Sequence, residues 1–173
     1  MKLLKTPLLL ILLIHASVKV KSQVFPVIHG TVVEKSVAGY KLSIYLPPGY
    51  DTLKNYKVLY FNDGQTVFGK YGLNADAMAD ELISKKSIEP IIIVGIYSDA
   101  NRTSNYVPYF DEGVKQDFGD YQPNAVNYTH RIIILVIPFI EKNFKTKPGG
   151  LDMKVLSTMP QRPPDNGSHH HKS

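Results

Sequence analysis

Two apolar segments, Val58-Leu59-Tyr60-Phe61 and Ile91-Ile92-Ile93-Val94-Gly95-Ile96, constrain the fold more than any other feature of this chain. A strand without polar alternation is covered on both faces, so each segment demands layers above and below it. Between them Ala75, Met78, Ala79, Leu82 and Ile83 recur at helical spacing over Ala75 to Lys86. Asn74 is placed to cap that helix, and Lys85-Lys86 to meet the negative end of its dipole. Strand, helix and strand in this order predict a right-handed crossover, a parallel sheet and the α/β class, with Lys57 to Asn62 in mid-sheet.

The flanking segments fill in the rest. Thr31 to Ser36 and Tyr40 to Leu46 are β-branched and aromatic, separated by Val37-Ala38-Gly39, which predicts an antiparallel hairpin. In the second of these, Leu42, Ile44 and Leu46 alternate with Lys41, Ser43 and Tyr45, the pattern of one buried face. Pro47-Pro48-Gly49 ends the strand. Asp99 to Pro123 is polar, aromatic and without period, and reads as a long loop. Arg131 to Phe144 is strand-like by propensity in its first half and helix-like from Pro138 onward; we read it as a helix. Beyond Lys147 only Met153 to Leu156 has strand character, and the remainder reads as a disordered tail.

Lys2 and Lys5 precede Leu8 to Ile14, a greasy run too short to cross a bilayer, and small residues follow. This is the pattern of a secretory signal, with cleavage expected after Ser22 or after Ala16, and it predicts a secreted or periplasmic protein. Residues 1–22 hold four lysines and no acid, so without them the formal charge of +5 falls to +1, from 16 basic and 15 acidic side chains. No basic surface for nucleic acid is expected. The chain has no cysteine, which excludes disulfides, thiolate nucleophiles and cysteine metal sites.

In order and spacing, "IYLPPGYD" (Ile44 to Asp51), "YKVLYFNDGQTVF" (Tyr56 to Phe68), "PIIIVGI" (Pro90 to Ile96), "NRTSNYVPY" (Asn101 to Tyr109) and "IPFIEKNFKTKPG" (Ile137 to Gly149) resemble the putative-esterase family of α/β-hydrolases. That group includes enterochelin esterases, S-formylglutathione hydrolases and feruloyl esterases, and the likeness covers its N-terminal half. It implies a partial α/β-hydrolase fold, an N-terminal hairpin followed by parallel strands with crossover helices, and a helix over Arg131 to Phe144. It also implies that the backbone N–H of Gly64 or Gln65 serves an oxyanion hole, and that Arg102 and Tyr106 lie on a loop able to contact a polar or acidic substrate. The ligand implied is a small-molecule ester or a carbohydrate-type molecule, with no cofactor, no metal and no stable membrane span.

The attacking group of such an enzyme does not follow. No G-x-S-x-G pentapeptide is present, and Ser157, the weak candidate nucleophile, stands between Val155 and Met159. His29 and His130 read as surface or capping residues, and His169-His170-His171 as a tail run without partners. The expected division is a signal peptide at 1–22, a truncated esterase-like domain at 23–147, and an aberrant tail at 148–173. The function expected is that of an exported carboxylic-ester hydrolase lineage, inactive in this chain alone. The alternatives are a noncatalytic module that presents Asp99 to Pro123 to a ligand, and a gene-model fragment.

Overall fold

The computed structural model describes residues 27–147. The expected signal at 1–22, the tail at 148–173, Ser157 and the three tail histidines lie outside the described residues.

Four strands form one sheet: β1 (Thr31–Val37), β2 (Tyr40–Leu46), β3 (Lys57–Asn62) and β4 (Ile91–Ile96), in the order β1-β2-β4-β3. β1 and β2 pair antiparallel through a turn in which Ala38 (φ 49) and Gly39 (φ 87) are both left-handed, the geometry that suits the twist of a two-residue hairpin. β2 pairs antiparallel with β4, and β4 pairs parallel with β3. The intervening helix α1 (Ala75–Ser84) makes the crossover that parallel strands require.

Alternation along β4 divides the core. Ile92, Val94 and Ile96 join Leu42, Ile44, Val58 and Tyr60 beneath a helical segment at the C-terminal side of the described chain, while Ile93 packs with Tyr45, Val67 and Ala79 under α1. The helical segment comprises α4 (Ala125–Arg131), a wider π turn (Ile132–Val136) and α5 (Ile137–Asn143). Pro138 stands in the first turn of α5, and its ring would press on the carbonyl four residues back in a regular helix, so the wider turn accommodates it. The strand-like "IIILV" is therefore helical, its propensity overridden by the packing of Ile132 and Val136 onto the sheet.

Several expectations need correction. β3 lies at the edge of the described sheet rather than in its middle, since covering both faces of a strand does not fix what lies beside it. Only its start is paired further, where Tyr56 bridges to Thr146. β2 is covered on both faces, because Ser43 and Tyr45 are buried as well as Leu42 and Ile44. Asn74 makes no side-chain cap and is left-handed (φ 53). Met78 and Leu82 are exposed, and the buried positions of α1 are Ala79 and Asp80. Asp80 is held by partners remote in sequence: Tyr45 donates its hydroxyl at 2.7 Å, the Gly30 amide donates at 2.9 Å, and His29 Nδ1 lies 3.0 Å away. The stretch expected as a loop contains two short helices, α2 (Arg102–Tyr106) and α3 (Glu112–Phe118), the second capped by the Asp111 carboxylate on the Val114 amide.

Candidate active site

The corner after β3 is built by three consecutive residues. Asp63 takes a left-handed conformation (φ 56, ψ 45), which costs a non-glycine residue about 1 kcal/mol but is tolerated better by aspartate than by most. That bend drives the chain into a single 3₁₀ turn, Gly64–Thr66. The turn closes when the Thr66 amide and the Thr66 hydroxyl both donate to the Asp63 carbonyl at 2.9 Å. Gly64 and Gln65 precede that first bonded amide, so their N–H groups occupy the positions a helical turn leaves without an internal acceptor.

Glycine at position 64 is a packing requirement. A methyl group there would stand 2.4 Å from the Gly95 carbonyl carbon and 2.5 Å from its oxygen. The reciprocal contact is also too short for a side chain, since a Cβ on Gly95 would meet the Gly64 Cα at 2.9 Å. Two glycines thus let the turn lie directly on the backbone of β4. Gln65, exposed beside it, fastens the turn to the segment after β4: its Nε2 donates to Ser98 Oγ at 2.6 Å and its Oε1 accepts from the Ser98 amide at 3.1 Å.

Asp63 organises the charges behind this corner. Arg102 grips its carboxylate in a two-pronged bond, Nε to Oδ1 and Nη2 to Oδ2, both at 2.8 Å. The Asp63 side chain is 8% exposed and that of Arg102 31%. Tyr106 completes the clamp, its hydroxyl accepting from the Asp63 amide at 3.3 Å and donating to Oδ1 at 3.1 Å. Burial disfavours ionisation of Asp63, but the hydrogen bonds and charge of Arg102, helped by Ser98 and Tyr106, outweigh it and hold the carboxyl below its ordinary range. The same pairing raises Arg102 further. Burial first, and then the neighbouring carboxylate, push the Tyr106 hydroxyl up to about 12, so it stays a proton donor. The guanidinium also lies 4.9 Å from the centre of the Tyr106 ring.

Behind Tyr106, the Tyr128 ring meets it edge-on at 5.7 Å, and the Tyr128 hydroxyl donates to Asn62 Oδ1 at 2.9 Å. Tyr60, Asn62, Ile96, Tyr106, Tyr128 and Ile132 enclose much of a cavity of about 120 Å³ at the ends of β3 and β4. These are the carboxyl ends of parallel strands, where open α/β sheets hold their ligands.

The structure brings Gly64, Gln65, Arg102 and Tyr106 into one cluster, although Arg102 and Tyr106 come from a separate helix. It turns Arg102 and Tyr106 onto Asp63. In the sequence Asp63 is part of a turn, and the one signal for its role is an acid immediately after a buried strand with a basic residue in a later segment. His130 is exposed on α4, and His29 is tied to Asp80. Among the described residues no group of histidine and acidic side chains gathers to hold a metal ion, and no helix is long and apolar enough to cross a membrane.

Comparison with known proteins bears on this arrangement. Residues 38–157, more than half of the chain, match the model of the family described as "Putative esterase". The uncharacterized protein YbbA of Bacillus subtilis is 24% identical over 116 residues, covering 66% of this chain and 44% of that protein. Among solved structures, a CE1 ferulic acid esterase from Anaeromyces mucronatus in complex with ferulic acid superposes with a TM-score of 0.50 at 18% identity, covering 73% of this chain and 47% of the esterase. An uncharacterised protein from Capnocytophaga ochracea gives a TM-score of 0.50 at 14% identity, covering 69% and 31%. At these identities the structural likeness speaks for the fold alone. The chain spans less than half the length of each of these relatives.

Proposed function

Because the chain belongs to the putative-esterase family of α/β-hydrolases, we propose that it carries the oxyanion-holding side of a carboxylic-ester hydrolase site and does not complete the reaction by itself. The observation that carries this reading is the Asp63-Gly64-Gln65 corner. Its backbone is pinned from below by Gly95, from behind by Arg102 and Tyr106, and from the side by Ser98. Acyl transfer places negative charge on the former carbonyl oxygen, and donors fixed in advance stabilise that charge without having to reorganise. The amides of Gly64 and Gln65 are the donors in this proposal. Asp63 does not touch substrate here; it is a positioning residue, whose paired carboxylate fixes the strained bend.

For the other half of the chemistry, a serine on a sharp elbow with a histidine and an acid behind it, the sequence offers no G-x-S-x-G pentapeptide, and among the described residues His29 is tied to Asp80 and His130 is exposed. Hence this chain alone binds an acyl-type anion without turning an ester over. Export is part of the same reading, resting on the basic start and short apolar run of residues 1–22, and a mature chain beginning at Gln23 in mass spectrometry is its signature; a retained Met1 counts against export.

Amide resonances test the donor assignment. Titrating the full chain with methylphosphonate, a small tetrahedral anion, should shift the Gly64 and Gln65 amides saturably and leave Thr66 and Val67, already bonded to the Asp63 and Gly64 carbonyls, nearly still. Saturable shifts confined to other residues would overturn the assignment, as would none at all.

A further inference from the structure

At the end of the sheet away from the Asp63 corner, the C-terminal half of α1 and the segment leading into β1 leave a concavity of about 660 Å³, within the range of sites for small organic ligands. Pro48, which follows β2, helps to close it. β2 at that point pairs with the start of β4, Tyr45 with Ile93, whereas the candidate active site lies at the other end of β4. The described lining residues of the two sites are separate.

We propose that this concavity binds an anionic amphiphile with a single alkyl chain, a medium-chain carboxylate being the simplest case. Three observations carry it. The first is the character of the walls. Ile28, Pro48, Ile83 and the stems of Lys85 and Lys86 are aliphatic, and no aromatic ring stands among the described lining residues to stack on a flat ligand. Ile28 is 68% exposed, so its coverage by an alkyl chain is a gain still open to the folded protein.

The second is the construction of the wall that carries Ile28. Asp80, 3% exposed, takes the Gly30 amide at 2.9 Å and stands 3.0 Å from His29 Nδ1, which ties both residues after Ile28 to α1. A methyl on Gly30 would stand 2.4 Å from the Leu46 carbonyl oxygen and from the Tyr45 ring, so only glycine seats the segment this closely. The wall is thus set before a ligand arrives, which lowers the cost of binding. The buried carboxylate, which Tyr45 also reaches, has its partners within the protein.

The third is the placement of Lys86. α1 ends in a turn where the Ser87 amide donates to the Leu82 carbonyl and the Lys86 amide to the Ile83 carbonyl, both at 2.9 Å. That turn puts its left-handed residue at Lys86 (φ 55), a position usually held by glycine because a side chain is strained there. Here the strained backbone sets an ammonium at the rim of an apolar concavity. Lys85 beside it is paired with Glu81, whereas no ion pair joins the Lys86 ammonium to another described residue. An anionic headgroup on an aliphatic body matches both features.

This site is independent of the ester-hydrolase reading, since it lies away from the oxyanion corner and predicts binding without turnover. Carbon-13 methyl spectra of the full chain test it, by titration with octanoate and decanoate below micelle formation and with decyltrimethylammonium as the cationic counterpart. Decanoate should bind saturably, shift the methyls of Ile28 and Ile83, and bind about tenfold tighter than octanoate, the effect of burying two further CH2 groups. Lys86→Gly should weaken decanoate binding about fivefold while the melting temperature holds or rises, since glycine relieves the left-handed backbone. No saturable binding of decanoate, or shifts confined to Ile96 and Ile132 around the cavity beside Tyr106, would overturn the proposal. So would decyltrimethylammonium binding as tightly as decanoate, or decanoate affinity unchanged by Lys86→Gly.

Discussion

Gly64→Ala should destabilise the domain by about 3 kcal/mol, seen as a lowered denaturant midpoint, because the added methyl meets backbone rather than a side chain that can swing away. The obstruction is the carbonyl group of Gly95 at 2.4 to 2.5 Å, near the C-terminal end of β4. Moving the turn clear of it would also pull on the Gln65–Ser98 bonds and the Asp63 clamp. A second glycine separates this packing effect from a backbone effect. Gly69 is left-handed (φ 77), but a methyl there meets nothing within 4 Å, so Gly69→Ala should cost only about 1 kcal/mol. Equal losses in the two variants would mean that the turn does not rest on β4 as described.

The second large effect is expected at Arg102. Arg102→Met keeps much of the aliphatic stem but leaves the Asp63 carboxylate, 8% exposed, with only Tyr106 and Ser98 as partners. Removing one member of a buried ion pair strands the other, and a loss of about 3 kcal/mol is expected near neutral pH, at the lower end of the usual range because the arginine is partly solvated. The loss should depend on pH in a definite sense. In the parent chain the Asp63 carboxyl is held below its unfolded value, so its contribution is present above about pH 4 and disappears as the pH falls through the lowered folded value. In the variant the part of that depression supplied by Arg102 is absent. The stability gap between the two proteins should therefore be widest above about pH 5 and close in acid. Urea melts at several pH values measure this, and a gap that stays constant into acid would contradict the assigned charge pairing.

The sequence made the β-sheet's chemistry legible because its signals are local. The apolar runs at Val58 to Phe61 and Ile91 to Ile96 and the hairpin punctuated by Ala38-Gly39 each report their own conformation, and all appear as strands. What was hidden depends on distant partners. The buried face of α1 could not be read from apolar spacing, since Asp80 is buried only because Tyr45 and Gly30 reach it from the hairpin region. The edge position of β3 is a matter of pairing, about which a strand's own residues say little.

The same division runs through the candidate site. Gly64 and Gln65 drew notice through the motif that surrounds them, and Arg102 and Tyr106 through a second motif. That Arg102 and Tyr106 converge on Asp63, the residue before Gly64 and Gln65, is a fact of three-dimensional distance, since they lie 39 and 43 residues away along the chain. Gly95 carries no signal of its own within the apolar run Ile91 to Ile96; its meaning appears only once Gly64 lies against it.

On the proposed reading this chain holds an oxyanion cradle without the attacking group and proton relay that would use it. Release of p-nitrophenol from p-nitrophenyl acetate by the purified full chain tests it most directly. The account predicts a rate indistinguishable from the buffer and protein blank, and unaltered by Ser157→Ala. Saturable hydrolysis that Ser157→Ala abolishes would contradict it, and would mean that a complete nucleophilic site assembles within this polypeptide.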